Sequence, residues 1–164
     1  MDKKMFCFQC EQTVGCTGCT GNAGVCGKKA DTAKLQDELT GALIGLARAV
    51  DGAETISKRT GQVIIEGLFT TVTNVSFDNT AIEKMIRKVR AEKERLVPDC
   101  GRCQSPCGKT DEYDMQQLWN ANEDIRSLKS LILFGIRGMQ PMPITQCSEF
   151  RRCRSKSFLL RGII

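Results

Sequence analysis

The chain of 164 residues contains no histidine. This absence removes the most common general base, proton shuttle and metal-binding imidazole. It also argues against nucleophilic cysteine catalysis, because no imidazole is present to activate a thiol. Aromatic residues are few, with seven Phe, one Tyr and one Trp, so we expect an aliphatic core. No run of about 18 apolar residues occurs, and the sequence therefore predicts no membrane-spanning helix.

The sequence also lacks the features of a secreted protein. Its first residues are basic but are not followed by the apolar segment of a secretory signal, which predicts a cytoplasmic location. Cytosolic thiols stay reduced, so ten cysteines in such a chain indicate metal binding rather than a disulfide framework.

The net charge of +5 is unevenly distributed. Most of it comes from the segment beginning at Gln140, where five basic residues face a single acidic residue. A nucleic-acid interface would require basic residues on a structured face, with aromatic side chains to stack bases. Neither is visible, and we therefore predict no nucleic-acid partner.

The main chemical feature is a glycine-rich segment with four cysteines, Cys7, Cys10, Cys19 and Cys26. Their spacing is C-x2-C-x8-C-x6-C. Four thiolates complete the protein shell of an iron–sulfur cluster, and the glycines allow the backbone to wrap closely around it. Two alternatives remain open from the residues alone. The site could hold structural zinc, or Cys16 could take the place of Cys19 as the third ligand.

A second cysteine segment contains Cys100, Cys103 and Cys107 in the spacing C-x2-C-x3-C. Three thiolates would need a fourth ligand from elsewhere to hold a second cluster. Because none stands nearby in the sequence, we favour a metal-free thiol turn between helices. The pattern suggests no role for Cys147 and Cys153.

Apolar residues at helical spacing predict an all-α fold, and no alternation typical of strands competes with it. Short connections between the helices predict an antiparallel bundle. The expected organisation is a cluster-binding loop over 1–30, a helical bundle over 31–139 and an irregular tail over 140–164. Four helices are predicted, beginning near Asp31, Gly61, Thr80 and Asp114 and ending near Gly52, Val75, Leu96 and Ile136.

Two of these helices carry finer predictions. The charged residues between Lys84 and Arg95 indicate a solvent-exposed face with i,i+4 pairs. The fourth helix is expected to bury a single stripe, which consists of Leu118, Ile125, Leu128, Ile132 and Ile136.

The first cysteine segment closely resembles the opening of the hybrid cluster proteins, also called prismane proteins or hydroxylamine reductases. The matching strings are Phe6-Cys7-Phe8-Gln9-Cys10-Glu11-Gln12-Thr13, Gly18-Cys19-Thr20 and Gly24-Val25-Cys26-Gly27-Lys28. Further similarity lies in Ser105-Pro106-Cys107-Gly108-Lys109-Thr110 and Asn122-Glu123-Asp124-Ile125-Arg126, so the resemblance covers about residues 5–139.

The resemblance implies that Cys7, Cys10, Cys19 and Cys26 bind a 4Fe–4S cluster. One branch of that family holds a 2Fe–2S cluster instead, but with a longer middle spacing than the x8 link here. The last link, x6, is one residue longer than the commonest form in the family.

The resemblance also implies where the family's reaction occurs. Hydroxylamine is reduced to ammonia and water, or nitric oxide is reduced, at a hybrid 4Fe–2S–2O cluster held by His, Glu and Cys from later domains. A chain without histidine is not expected to assemble that cluster. The expected function is therefore electron transfer, with a redox partner protein and the missing C-terminal catalytic domains as partners. A structural zinc-binding interaction module is the alternative, and a metal-free helical remnant is a third possibility.

The tail departs from the family's pattern near residue 140. We therefore hypothesise that the chain is an N-terminal fragment whose last residues, 140–164, are frame-shifted or spurious. Translation of the parent DNA in the other reading frames tests this, because a frameshift predicts a family-like continuation there.

Overall fold

The computed structural model describes residues 4–7, 9–10, 18–51, 55–72, 75–96 and 112–138. These residues form five helices and no strand: α1 Ala30–Val50, α2 Lys58–Thr70, α3 Asn79–Leu96, α4 Met115–Trp119 and α5 Glu123–Gly138. Their packing is consistent with a bundle, so the prediction of an all-α fold is confirmed. No helix in the described part of the chain has the length and apolar character needed to cross a bilayer.

Helix α1 is the central element of the bundle. Every residue from Leu39 to Ala47 is buried, which is the pattern of a helix surrounded by other elements. Helices α2 and α3 pack against it with their apolar faces, which contain Val63, Ile64 and Leu68 in α2 and Ile82, Met85, Ile86 and Val89 in α3. The aliphatic core predicted from the shortage of aromatic residues is therefore present.

Side-chain hydrogen bonds define the direction of the first three helices. Thr60 near the start of α2 donates to Glu92 near the end of α3 at 2.7 Å, which makes these helices antiparallel. Thr32 donates to Asn79 at 2.7 Å, so the first turns of α1 and α3 lie side by side. The three helices consequently run up, down and up.

The predicted fourth helix is wrong in one respect, because the chain forms two helices there. Helix α4 ends at Trp119, and α5 begins after Asn122, whose side chain accepts a hydrogen bond from the amide of Asp124 at 2.9 Å. The break changes the helical phase, so the predicted stripe is only partly buried. Leu118 and Ile136 are buried, whereas Ile125, Leu128 and Ile132 are exposed, and α5 turns Leu133 inward instead.

The prediction for the charged face of α3 is also partly wrong. Arg87 and Glu83 form the expected i,i+4 pair at 3.9 Å, but Glu92 is buried. Glu92 accepts hydrogen bonds from Thr60 and from Arg95, the latter at 2.7 Å. The charged run therefore includes a tertiary contact between α2 and α3, which a periodicity argument does not detect.

Helix boundaries differ slightly from the predicted ones. Helix α2 starts earlier, after the N-cap Ser57, and ends at Thr70, which leaves Val75 outside it and exposed. Helix α1 starts at Ala30 rather than at Asp31, because the bridge between Ala23 and Lys29 holds Lys29 in extended backbone. The predicted start of the third helix near Thr80 agrees with the structure, in which the carboxylate of Asp78 accepts a hydrogen bond from the amide of Thr80 at 2.9 Å.

Candidate metal centre

The cysteine loop is organised by short backbone pairings. Cys7 and Cys19 face each other as an antiparallel bridge, in which each amide donates to the other residue's carbonyl at 3.0 and 2.8 Å. Gly18 lies beside this bridge with a φ of +97°, and a Cβ there would meet the ring of Phe6 at 3.0 Å. A glycine is therefore required at this position by both backbone conformation and space.

Cys26 is placed by the turn that leads into α1. A Cβ built on Gly24 would lie 3.6 Å from the sulfur of Cys26 and 3.7 Å from that of Cys19. The two sulfurs thus lie on the same side of a residue that has no side chain. The loop brings together Cys7, Cys19 and Cys26, while the pairings that place them do not include Cys10.

All four thiols, Cys7, Cys10, Cys19 and Cys26, are free, and none of them is fully exposed. Among the residues that the structure describes, no three His, Cys, Asp or Glu side chains are close enough to hold one metal ion. A mononuclear zinc site would require sulfurs about 3.8 Å apart, given a Zn–S distance of about 2.3 Å and tetrahedral geometry. A cluster with several irons binds each thiolate at a separate iron and so accepts a wider arrangement. The thiol-only donor set is the one that iron–sulfur clusters use.

A buried lysine lies next to this thiol group. The side chain of Lys28 donates from Nζ to Oε1 of Gln9 at 3.1 Å and to the sulfur of Cys7 at 3.8 Å. Burial raises the pKa of the Cys7 thiol, whereas the positive charge of Lys28 lowers it. Since metal ligation requires the thiolate, Lys28 favours the ligating form of Cys7.

An aromatic and carboxylate cluster joins the loop to the bundle. The ring of Phe6 lies 5.1 Å from that of Trp119, and the guanidinium of Arg126 lies 5.7 Å from the Phe6 ring centre. The indole of Trp119 donates to Asp37 at 2.9 Å. Burial raises the pKa of Asp37 to about 6, although Trp119, Arg137 and Lys28 all lower it. The residue before the first cysteine is thus anchored on α4 and, through Trp119, on α1.

Asp37 lies on the wall of two cavities. The smaller, of about 90 Å³, is lined by loop and helix residues that include Met5, Phe6 and Trp119. The larger, of about 360 Å³, lies between α1 and the segment leading into α4, and its wall also contains Glu38 and Glu112.

Arg137 supplies a second buried positive charge. Its guanidinium donates to the hydroxyls of Thr71 at 3.0 Å and Thr40 at 2.9 Å, which ties α5 to α1 and to the end of α2. Burial lowers the pKa of Arg137 to about 10, while Asp37 and Cys7 act in the opposite direction. The interaction of Arg137 with Cys7 is weaker than its interaction with Asp37.

The family model described as Prismane/CO dehydrogenase matches residues 5–150, which is most of the chain. The chain belongs to this family. Its members bind iron–sulfur clusters, in agreement with the thiol-only donor set described above.

The relatives that match this family member are named hydroxylamine reductase. The protein from Clostridium perfringens is 38% identical over 156 residues, covering 82% of this chain and 28% of the relative. That from Chlorobaculum tepidum is 40% identical over 150 residues, covering 82% and 27%. That from Thermodesulfovibrio yellowstonii is 39% identical over 158 residues, covering 82% and 29%. The chain therefore spans less than a third of the length of these relatives.

Several predicted features of this prismane-family chain lie outside the described residues. They are Cys16, the second cysteine segment with Cys100, Cys103 and Cys107, and the tail over 140–164. The choice of Cys19 over Cys16 therefore stays a prediction, as does the metal-free thiol turn. The family match extends to residue 150, which is past the position where the resemblance was predicted to end.

Sequence reasoning missed three charged residues of the site, namely Lys28, Asp37 and Arg137. Lys28 stands two residues after Cys26, and this proximity was the one available signal. Asp37 and Arg137 are far from the cysteines in sequence and reach the site through the packing of α1 and α5. Val25, which precedes Cys26, is 55% exposed and therefore does not shield that part of the loop from water.

Proposed function

We propose that this chain is the iron–sulfur electron-transfer domain of a hydroxylamine reductase-like hybrid cluster protein. The observation that carries the proposal is the loop in which Cys7 and Cys19 are paired and the sulfurs of Cys19 and Cys26 flank Gly24. Family membership supports an iron–sulfur centre in place of another thiol site. When bound, the cluster supplies a one-electron relay.

The ligands in this proposal are Cys7, Cys10, Cys19 and Cys26, and the cluster is a 4Fe–4S centre, with 2Fe–2S as the less favoured form. The protein's part is to hold four thiolates in a partly buried loop and to limit the access of water. Phe6, whose ring packs against that of Trp119, contributes to this shielding, because it fixes the segment that carries Cys7 against α4. A cytoplasmic location belongs to the same proposal, because a cysteine-rich metal-binding chain is typical of a reducing compartment.

The reduction of hydroxylamine itself takes place, in this proposal, on polypeptide that the chain does not contain. A hybrid 4Fe–2S–2O centre that requires histidine has no such ligand here, since the sequence lacks histidine. We therefore expect the isolated chain to be inactive towards hydroxylamine and nitric oxide. Electrons would enter from a redox partner protein and leave towards the catalytic domains.

The outer face of α5 supports an association with those domains. Leu128 and Leu131 are 61% and 67% exposed, and Ile125 and Ile132 continue the same apolar surface. A helix that is apolar on two sides normally lies inside a larger structure. The part of the relatives beyond the matched region is the proposed occupant of this face, since it makes up most of their length.

The experiment is anaerobic purification and reconstitution, followed by iron, sulfide and zinc analysis and by electron paramagnetic resonance. We expect four irons and four sulfides per chain, an absorbance that dithionite bleaches, and a signal from the reduced cluster. Serine variants of Cys7, Cys10, Cys19 and Cys26 should each lose the intact cluster, while Cys147→Ser, in the tail, should retain it. Cys16→Ser distinguishes the two candidate ligand sets.

The alternative function is a structural zinc-binding module, and the same analysis separates the two. Colourless protein with one zinc per chain would reject the iron–sulfur proposal. Turnover of hydroxylamine by the isolated chain with reduced methyl viologen would contradict the second half of the proposal.

A further inference from the structure

Lys28 has an environment that is rare for a lysine. It is 2% exposed, so its ammonium group has lost nearly all of its hydration. Such a loss is costly unless partners inside the protein replace the water. In the described part of the chain, Nζ is 3.1 Å from the neutral Oε1 of Gln9 and 3.8 Å from the sulfur of Cys7. Among the described residues, the hydrogen-bond acceptors of this charge are therefore an amide and a thiol, while the Asp37 carboxylate interacts with it only through charge.

The backbone of the loop fixes this direction. The carbonyl of Lys28 accepts a hydrogen bond from the amide of Gly24 at 2.8 Å, and the amide of Gly27 donates to the carbonyl of Gly24 at 2.9 Å. Gly27 has a φ of +83°, which favours glycine and closes the turn around Cys26. Lys28 is thus held at the end of a defined turn just before α1, with its side chain directed back to Cys7.

The charge of Lys28 acts on Cys7 against the effect of burial. Burial raises the pKa of the thiol, and the ammonium group is the strongest influence that lowers it. The negative charge of Asp37, like burial, raises the pKa of the Cys7 thiol. Arg137 on α5 interacts electrostatically with both Cys7 and Asp37. Lys28 is the cation in hydrogen-bond contact with the sulfur, so its effect is the most direct.

A cluster held by four thiolates carries a net negative charge that grows by one on reduction. A buried cation close to one of these sulfurs stabilises the more negative, reduced state more than the oxidised state. Hydrogen bonds to ligand sulfur act in the same direction. Building on the proposed function, we infer that Lys28 is a positioning residue that raises the reduction potential of the cluster through a charged hydrogen bond to the Cys7 sulfur.

The test compares the midpoint potential of the reconstituted chain with those of Lys28→Met, Lys28→Arg and Lys29→Met. Electrons are supplied one at a time by dithionite through viologen mediators. Lys29→Met is the matched control, because it removes the same charge one residue further on, from an exposed side chain. Iron content and circular dichroism are measured on each variant.

We expect Lys28→Met to shift the reduction equilibrium at least tenfold towards the oxidised cluster, which is 59 mV for a one-electron couple. Lys28→Arg should remain close to the wild type, since it keeps the charge. Lys29→Met should also remain close to the wild type. If Lys28→Met and Lys29→Met have the same potential, the inference about Lys28 is overturned while the iron–sulfur function stands. Absence of a cluster in the wild type would reject the proposed function first.

A second measurement needs no variant and covers the case in which Lys28→Met does not fold. The wild-type chain is prepared with ¹⁵N at the lysine side chains, reconstituted, reduced and studied by pulsed electron paramagnetic resonance. A ¹⁵N coupling to the cluster is expected, because Nζ lies 3.8 Å from the Cys7 sulfur. A spectrum without lysine ¹⁵N coupling would overturn the inference.

Discussion

The indole nitrogen of Trp119 donates to the carboxylate of Asp37 at 2.9 Å, although the two residues are 82 positions apart. This hydrogen bond joins α4 to the central helix directly beneath the cysteine loop. Trp119 also packs against Phe6, so Asp37 is connected through this tryptophan to the segment that carries Cys7. The support of the candidate metal centre therefore includes a titratable group.

The first prediction concerns the pH dependence of stability. Asp37 has a pKa of about 6 in the folded chain against an ordinary value of 3.8. A raised carboxyl pKa means that folding favours the neutral form, so its stabilising contribution is complete below about pH 3.8 and is lost as the pH rises through 6. Asp37→Asn should therefore gain stability relative to the wild type between pH 4 and pH 8, by on the order of 3 kcal/mol.

The measurement is urea unfolding of both proteins at several pH values in this range. Asp51→Asn is the control, since Asp51 is exposed at the end of α1. That variant should follow the wild-type pH profile. A constant difference between Asp37→Asn and the wild type would show that Asp37 is ionised at all these pH values, contrary to the prediction.

The second prediction concerns Glu92, whose pKa is shifted in the opposite direction from that of Asp37. Hydrogen bonds from Arg95 and Thr60, with the charge of Arg59, lower the pKa of this buried carboxyl to about 2. Its stabilising contribution is present above about pH 4.5 and is lost as the pH falls towards 2. Glu92→Gln should destabilise the chain at pH 7 by on the order of 2 kcal/mol, a value reduced for the solvent exposure of both arginines.

Unfolding free energies measured from pH 7 down to the acid transition check this prediction. Glu83→Gln is the matched control on the same helix, because Glu83 is half exposed and its pair with Arg87 is long, at 3.9 Å. It should change stability by less than about 0.5 kcal/mol. A loss in Glu92→Gln that does not diminish on acidification would assign the effect to packing instead of charge.

The fold could be predicted from the sequence where the apolar face of a helix determines which of its residues are buried. In α3, the spacing of Ile82, Met85 and Val89 correctly identifies the buried side. The break between α4 and α5 was missed, because an asparagine cap at Asn122 interrupts a pattern that continues in apolar residues on both sides. The burial of Glu92 was missed because its partners Thr60 and Arg59 come from another helix.

The candidate site shows the same division between local and long-range information. Cysteine spacing and glycines are local, so the ligand set could be proposed from the sequence. Of the three charges near the thiols, Lys28 follows Cys26 in the loop, whereas Asp37 on α1 and Arg137 on α5 depend on how the helices pack. The sequence near the cysteines therefore contains only part of the electrostatics of the site.

A glycine in α1 gives a third prediction. Tyr113 donates its amide to the carbonyl of Gly41 at 3.2 Å, and a Cβ on Gly41 would overlap the carbonyl oxygen of Tyr113. The backbone of Tyr113 leads into α4 and cannot yield as a flexible side chain would. Gly41→Ala should therefore lower the free energy of unfolding by about 1–3 kcal/mol, despite the better helix propensity of alanine.

Gly61→Ala in α2 is the matched comparison for thermal unfolding. An added methyl group there meets nothing within 4 Å. It should stabilise the chain by roughly 0.5–1 kcal/mol, through helix propensity alone. Equal effects of the two substitutions would mean that the contact between Gly41 and Tyr113 does not constrain the chain.

The last prediction separates the two apolar faces of α5. Leu133 is 8% exposed and faces the bundle, whereas Leu128 and Leu131 are exposed. Leu133→Gln should destabilise the chain by about 2–5 kcal/mol, because it buries an unsatisfied amide and removes core packing. The double variant Leu128→Gln, Leu131→Gln should change stability by no more than about 0.5 kcal/mol per site.

The two variants should affect self-association in the opposite order from the one in which they affect stability. An exposed apolar face promotes association, so the double variant should reduce concentration-dependent self-association in sedimentation velocity, whereas Leu133→Gln should not. Urea unfolding and sedimentation on the same samples distinguish burial within the chain from availability for a partner. If the double variant lost as much stability as Leu133→Gln, the outer face would already be covered in the isolated chain, and docking of the remaining domains there would have to be abandoned.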